Sequence, residues 1–198
     1  MPEINPHRIQ VRDLRLEDLP PMLDYWFRSP PGFIYSLGVD PQKMPTESEL
    51  TNTLKKKFLE NQDLKVSKLN ALAICYQDRA IGVHTLNPLI EGDYGIFHAH
   101  IWPPEMRRRG IGMISYPLAC NIFIGRFNLK RILFKTPVQN TGSIRVKEKL
   151  GIRLIGEELI EYNIIRAGTP AKVFELLKAE AAALRALGFS QPVTAEKK

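Results

Sequence analysis

One short segment holds most of the residue types that could do chemistry. It runs from Ile101 to Gly112 and combines two prolines, three consecutive arginines and two spaced glycines. Glycines let a backbone approach a ligand closely, and a helix that follows them directs its free N–H groups at that ligand. Arginines beside a helix N-terminus bind phosphate oxygens. The segment predicts a phosphate site, and an ordinary basic turn before a helix is the alternative.

The two prolines predict a second feature at the same place. Pro103 and Pro104 remove two hydrogen-bond donors at the end of the predicted strand 94–102, so this strand must part from its neighbour. Backbone groups at Ile101 and Trp102 would then be free to pair with an extended chain that carries amides. An amide chain beside phosphates corresponds to the pantetheine and pyrophosphate of coenzyme A. The segment lacks the Gly-Lys-Ser/Thr of a P-loop and the third glycine of a dinucleotide fingerprint.

A second motif follows about 30 residues later and makes the first more specific. Asn140-Thr141-Gly142-Ser143 opens a predicted helix that ends in Lys149-Leu150-Gly151-Ile152. Together with Arg107-x-x-Gly110-x-Gly112, it resembles the GNAT superfamily of N-acetyltransferases. The first motif is similar to the acetyl-CoA signature of that family. The second is similar to its Asn-x-x-Ala/Ser … Lys-Leu-Gly-Phe helix, with Ile152 in place of the phenylalanine. The likeness spans residues 8–176 and is sharp over 102–152.

The resemblance implies roles for the matching positions. Main-chain N–H groups of the turn would hold the pyrophosphate, the end of the strand would pair with pantetheine, and Asn140 would bond the pantetheine arm or cap its helix. The cofactor-binding residues implied are Ile101, Trp102, Arg107, Arg108, Arg109, Gly110, Ile111, Gly112, Asn140 and Ser143. No metal is implied. Many family members carry a tyrosine as the general acid, and by register from Asn140 that position is Lys147 here.

Two histidines could act on an amine. His98 and His100 lie on one face of the predicted strand because strand side chains alternate. An alkylammonium of pKa about 10.4 must lose a proton before it attacks, and an imidazole of pKa about 6.5 can accept it. Counting from the signature, His98 matches a histidine of one similar family member, so we expect His98 to be the general base. A pair of hydrogen-bonded histidines that merely line a sheet is the alternative.

The sequence says less about the amine that accepts the acetyl group. Four aromatic residues flank the connection 29–45, and they are Tyr25, Trp26, Phe33 and Tyr35. In the family that the chain resembles, this part of the fold builds one wall of the acceptor site. Such a wall favours an amine with apolar character over a polyamine. The alternative is that two or three of these residues belong to the core. A small molecule and a peptide or protein N-terminus both remain open.

The elements around these motifs predict one mixed α/β domain. A run of strands (8–14, 69–76, 80–86 and 94–102) precedes strands that alternate with helices, the pattern of a mixed sheet. We expect one domain over 1–198, with its core at 8–176 and a C-terminal helix and tail at 177–198. The resemblance implies a central, mostly antiparallel sheet that is splayed after the fourth strand and flanked by helices.

Composition narrows the class of protein. The chain carries 28 basic and 21 acidic residues, a net charge of +7, which fits a nucleic-acid surface or a pocket for an anionic small molecule. No apolar run approaches the ~18 residues of a membrane helix, and the first residues hold no apolar signal core. We therefore expect a cytoplasmic protein without membrane or nucleic-acid partners. A homodimer is possible.

These observations lead to one expected function and two alternatives. We expect an acetyl group to pass from acetyl-CoA to a primary amine directly, in a ternary complex. Neither Cys75 nor Cys120 lies in the signature turn or beside a histidine, so no nucleophile is apparent for an acetylated intermediate. A coenzyme A-binding sensor without catalysis is the first alternative, and a basic nucleic-acid-binding module is the second.

Overall fold

The computed structural model describes residues 4–61, 64, 67–160 and 164–189. Seven strands form one sheet in the order β1-β2-β3-β4-β5-β7-β6, and every neighbouring pair except β4 and β5 is antiparallel. The mostly antiparallel sheet flanked by helices is confirmed. The strands are β1 Ile9–Asp13, β2 Ala71–Tyr76, β3 Arg79–Ile90, β4 Tyr94–Ile101, β5 Arg131–Pro137, β6 Arg153–Ile160 and β7 Thr169–Leu177.

Six α-helices are described, and they cover both faces of the sheet. They are α1 Leu19–Phe27, α2 Pro31–Ser36, α3 Glu47–Asn61, α4 Ile111–Arg126, α5 Thr141–Lys149 and α6 Lys178–Phe189. The larger core lies between the sheet and helices α4, α5 and α6, and Phe123, Phe134 and Phe174 are fully buried in it. A second core lies under α1 and α3 on the opposite face and contains Tyr25 and Trp102. The sheet is therefore buried on both sides where β3 and β4 run.

The sheet splits between β4 and β5. Tyr94–Ile96 pair in parallel with Arg131–Leu133, and the pairing stops there. Beyond Ile96, β4 stays bonded to β3 as far as Ile101, and β5 stays bonded to β7 as far as Pro137. Each strand follows its antiparallel partner, and a gap opens between them. The predicted split is confirmed, but its position beside the prolines is wrong: the prolines end β4, while the strands part five residues earlier.

Several features of the helices also differ in detail from the prediction. The helix predicted from the alanine-rich C-terminal sequence begins at Lys178, because residues up to Leu177 pair with β5 and β6. The early connection 29–45 contains helix α2. Asp18 lies at the N-cap position of α1, but its carboxylate bonds the guanidinium of Arg12 and the N–H of Arg15. The part of the predicted tail from residue 190 onward lies outside the described residues.

Candidate functional site

The signature turn forms a compact reversal between β4 and α4. After Trp102 the chain makes a 3-10 turn at Pro104–Met106. Arg108 and Gly110 then adopt left-handed backbone conformations, with φ of 59° and 77°, and Gly110 becomes the N-cap of α4. Glycine takes this conformation without strain, whereas Arg108 does so at some cost. The turn is thus held in a shape that an arbitrary basic loop would not adopt.

The first turn of α4 directly follows the signature turn. Ile111 and Gly112 are the first two residues of the helix, so their N–H groups have no acceptor within it. Arg107 N–H donates to the carbonyl of Pro104 at 3.1 Å, and Met113 N–H donates to that of Gly110 at 2.9 Å. The N–H groups of Ile111 and Gly112 therefore lie at the helix N-terminus, where the motif predicts the phosphates. The positive end of the helix dipole and the exposed side chain of Arg108 lie at the same place.

The side chain of Arg107 is already engaged. Its Nε donates to the carbonyl of Ile101 at 2.9 Å and one of its terminal nitrogens donates to that of Trp102 at 2.6 Å. The guanidinium also lies 4.1 Å from the ring centre of Phe33. Arg107 therefore ties the end of β4 to the turn and to α2. Trp102 N–H donates to Ile81 of β3, so a ligand that accepts from this N–H would have to replace that bond, whereas the carbonyl of Trp102 has a second lone pair.

The second motif packs directly against the first. Asn140 Oδ1 accepts a hydrogen bond from Ser143 N–H at 3.2 Å, so Asn140 caps helix α5, which is one of the two roles predicted for it. A Cβ atom on Gly112 would lie 3.3 Å from a methyl group of Val146, so glycine here lets α4 approach α5. Gly112 has a packing role whether or not a ligand binds. The two motifs meet at the open end of the gap between β4 and β5.

The gap is bounded by residues 97–101 of β4 and by β5 from Phe134 onward. At its closed end the rings of Phe97 and Phe134 lie 5.1 Å apart, and Tyr116 of α4 lies 5.0 Å from Phe97. At its open end stand the signature turn and the N-terminus of α5. The gap is therefore a slot with aromatic side chains at its closed end and the first N–H groups of α4 at its open end.

The two predicted histidines have different surroundings. His100 Nδ1 lies 2.9 Å from the hydroxyl of Tyr25, and the ring packs on Trp26. Burial, with help from His98 and Arg107, lowers the pKa of His100 to about 3. His98 is half-buried and its Nε2 donates to the carbonyl of Asn87 at 2.7 Å. Burial also lowers the pKa of His98, so its ring is neutral with the lone pair on Nδ1. Both rings are therefore neutral at pH 7, which is the protonation state that a base requires, but that of His100 is bonded to the hydroxyl of Tyr25.

Lys147, which stands where many family members have tyrosine, is only 3% exposed. Its ammonium donates to Ser143 Oγ and lies 5.4 Å and 5.7 Å from the ring centres of Tyr116 and Phe134. Burial lowers the pKa of Lys147 to about 7. The sequence analysis did not predict this burial, although Lys147 shares a helix face with Ile144 and Leu150, both of which are buried.

His84 is a further residue that sequence reasoning missed. It is fully buried and its ring packs 4.8 Å from Phe97 and 5.3 Å from Tyr116. Burial lowers the pKa of His84 to about 3. His84 is paired with Ala99 of β4, so its side chain lies on the opposite face of the sheet from those of His98 and His100, and this register is not visible in the sequence.

A groove of about 610 Å³ lies beside the turn, between α1, α2 and the end of β4. Its lining includes Tyr25, Phe33, Trp102, Arg28 and Arg107. Two of the four predicted wall aromatics therefore line this groove, although Tyr25 is also buried in the core below it. Tyr35 is exposed and stacks on Arg166, 3.7 Å from the guanidinium carbon.

Among the residues that the structure describes, no group of three or more histidine, cysteine, aspartate or glutamate side chains could hold a metal ion. None of the helices described is long and apolar enough to cross a membrane.

Comparison with known proteins agrees with this geometry. Residues 8–153 match the sequence model of the family described as acetyltransferase (GNAT) domain. No curated protein matches the sequence of the chain.

Solved structures with the same fold share little sequence with it. Spermidine N-acetyltransferase from Vibrio cholerae, in complex with CoA and spermine, is 18% identical with a TM-score of 0.70, over 89% of this chain and 99% of that one. RimJ from Mycobacterium smegmatis, in complex with a CoA disulfide, is 13% identical with a TM-score of 0.68, over 90% of this chain and 88% of that one. The ribosomal L7/L12 α-N-protein acetyltransferase RimL is 15% identical with a TM-score of 0.66, over 86% and 94%.

Proposed function

Because the chain belongs to the GNAT acetyltransferase family, we propose that it transfers an acetyl group from acetyl-CoA to a primary amine. The observation that carries this proposal is the slot between β4 and β5, with N–H donors and arginines at its mouth. The similar spermidine N-acetyltransferase and RimL structures are complexes with CoA, and the RimJ structure is a complex with a CoA disulfide, which supports the same co-substrate.

The length of the slot fits a pantetheine arm. Five residues, 97–101, separate the last β4–β5 pair from the end of β4, which is about 17 Å of strand. The arm from sulfur to phosphate has about thirteen bonds, equivalent to about four residues, or about 15 Å. The main-chain N–H groups of 108–112 would hold the pyrophosphate with Arg108 and Arg109. Ile101, Asn140 and Ser143 would border the arm.

His98 would act as the general base. Its pKa is lowered, so the ring is neutral at pH 7 and can accept a proton from the incoming ammonium, directly or through water. The acyl group would pass directly to the amine in a ternary complex. Cys75 and Cys120 are both buried, and burial raises the pKa of both thiols, so neither is an activated nucleophile.

The groove supports an acceptor with apolar character. Aromatic rings line it, and Arg28 and Arg107 contribute two cations against the carboxylate of Asp24, which is itself 3.2 Å from Arg28. A polyamine carries several cations and needs carboxylates to balance them. The groove is thus better matched to a monoamine or to a peptide or protein N-terminus. A homodimer and a cytoplasmic location stay predictions.

One two-step experiment tests the proposal. Acetyl-CoA is first titrated against thermal stability, and we expect the melting temperature to rise with concentration because the ligand binds only the folded chain. Pools of apolar amines, peptides with free N-termini and polyamines are then screened for release of free thiol. We expect thiol release with the first two pools to exceed that with polyamines.

The outcomes separate the proposed function from its alternatives. Stabilisation without turnover on any pool would identify a coenzyme A-binding sensor. No stabilisation by acetyl-CoA, together with nucleic-acid affinity that falls steeply with salt, would identify a nucleic-acid-binding module. Acetylated protein trapped at either cysteine on the catalytic timescale would replace direct transfer by a covalent route.

A further inference from the structure

Arg107 is a cation without a carboxylate partner in the groove beside the signature turn. It is half-buried and lines the groove, and no ion pair among the described residues includes it. Its Nε and one terminal nitrogen donate to the carbonyls of Ile101 and Trp102. Among the described residues its other terminal nitrogen, Nη1, has no acceptor. Arg107 therefore has both a charge and N–H donors available to a ligand.

The rings around this guanidinium leave its edge for a ligand. The ring centre of Phe33 lies 4.1 Å from the guanidinium carbon, and that of Tyr25 lies 5.7 Å from it. Rings cover the flat face of the group and keep water from it, so an ion pair at its edge is screened less than one on the open surface. The edge of a guanidinium presents N–H groups with the geometry of the two oxygens of a carboxylate. The expected ligand group is therefore a carboxylate.

The second cation of the groove, Arg28, has its charge balanced already. It lies 3.2 Å from the carboxylate of Asp24 and 3.1 Å from that of Glu47. Two anions surround one cation there, so a further anion gains no attraction. A carboxylate that enters the groove is therefore attracted to Arg107. The net charge of +7 favours the approach of an acidic ligand in the same way.

The distance between Arg107 and the proposed base limits the kind of acceptor. Both lie on the face of the sheet that α1 covers, because Tyr25 of α1 contacts Arg107 and also His100, which shares a face of β4 with His98. Arg107 bonds the carbonyl of Ile101, which is three residues, or about 10 Å, along β4 from His98.

A free amino acid cannot span this distance, because its ammonium and carboxylate are attached to one carbon. An extended peptide covers about 3.3–3.6 Å per residue. With its terminal amine beside His98, the side chain of its second or third residue would reach the edge of Arg107. The separation thus favours a peptide over a free amino acid.

We propose that the acceptor is a peptide or protein N-terminus with an acidic side chain at its second or third residue, and that Arg107 binds this carboxylate. The inference rests on the proposed function, which places the amine beside His98, and it narrows the acceptor that the groove takes. Nη1 of Arg107 donates to a carboxylate oxygen. Arg108 and Arg109 of the same signature stay with the pyrophosphate.

The first test measures binding to the complex of the parent with CoA, so that no turnover is needed. Three eight-residue peptides of alanine and serine are compared by calorimetric titration. The first has aspartate at positions two and three, the second has asparagine there, and the third has its two aspartates at positions six and seven. We expect the first peptide to bind about tenfold more tightly than either of the others, because only its carboxylates reach Arg107.

The three peptides separate a specific contact from general attraction. Equal affinities for the aspartate and asparagine peptides would overturn the inference. Equal affinities for the two aspartate peptides would also overturn it, because the net charge of the protein would then explain the binding. Failure of all three peptides to bind the CoA complex would have the same consequence.

The second test identifies the cation. In Arg107→Gln the affinities for the first two peptides should come within about twofold of each other. Arg28→Gln should keep their ratio, because Asp24 and Glu47 already balance that charge. A loosened turn would weaken both peptides and CoA together and leave the ratio unchanged, so the ratio reports the contact itself. A ratio that persists in Arg107→Gln, or that is lost in Arg28→Gln, would contradict the assignment.

Turnover separates this inference from the proposed function. We expect kcat/KM for thiol release from acetyl-CoA to rank the parent's three peptides in the order of their affinities. Equal rates with all three would remove the inference and leave the proposed function standing. Tighter binding of the first peptide without thiol release from any amine would count against the proposed function alone.

Discussion

At the scale of single residues, neighbouring histidines on one strand have separate tasks. His100 is bonded to Tyr25 and packed on Trp26, so its ring is held against the core below α1. His98 bonds a backbone carbonyl through Nε2, which fixes the tautomer and directs the lone pair of Nδ1 elsewhere. The sequence pattern put both on one face but held no information on which ring Tyr25 would reach.

Replacing His98 tests its role as the base. His98→Gln should slow turnover at least tenfold at neutral pH, because general-base help is typically worth about 10²–10⁴-fold. Glutamine can still donate to Asn87, so acetyl-CoA affinity and the melting temperature should change little. The measurements are kcat/KM from pH 6 to 9 and the acetyl-CoA Kd, with the exposed His7→Gln as the matched control. Activity within twofold of the parent across that range would assign His98 a structural role.

At the scale of elements, the site depends on how α4 and α5 approach each other. Gly112 lies in the first turn of α4 and faces Val146 of α5. Both motifs were visible in the sequence, and so was their order. The contact between them was not, because it depends on the crossing of two helices that are 30 residues apart in the chain. The same holds for Lys147, whose burial follows from the packing of α5 on Phe134 and Tyr116.

A pair of glycine substitutions in α4 separates ligand binding from helix formation. Gly112→Ala should weaken acetyl-CoA binding about tenfold, because the added methyl pushes α4 from Val146 and misplaces the N–H groups of its first turn. Gly125→Ala lies in the same helix with open space around it, and should leave binding unchanged while stabilising the fold slightly. Calorimetric titration and thermal melts of both variants provide the comparison. Equal affinities in two folded variants would remove Gly112 from the site.

At the scale of the whole molecule, the sequence predicted the fold class and the split of the sheet, and it misplaced the point of splitting. Pro103 and Pro104 were visible as the end of a strand, and they do end β4. The split at Ile96 is decided by long-range pairing, since β5 follows β7 and β4 follows β3. No local pattern encodes which of two neighbours a strand will follow.

The buried histidines make the stability of the whole molecule depend on pH. His84 and His100 have pKa values of about 3 in the folded chain, against about 6.5 for an ordinary histidine. The folded state thus resists protonation while the unfolded chain accepts it. Stability is therefore present in full above pH 6.5 and is lost as the pH falls from 6.5 toward 3.

Replacing the most deeply buried of these rings should weaken that dependence. For His84 alone the loss at pH 5 amounts to about 2 kcal/mol, which corresponds to about 4–8 °C in melting temperature for a chain of this size. In His84→Leu, leucine fills a similar volume between Phe97 and Tyr116 and does not titrate. Between pH 7 and pH 5 the stability of this variant should therefore fall by about 2 kcal/mol less than that of the parent. Thermal melts at half-unit pH steps measure the slope, and the exposed His7→Gln should leave it unchanged. Parallel curves for the parent and His84→Leu would show that His84 is protonated as easily in the folded chain as in the unfolded one.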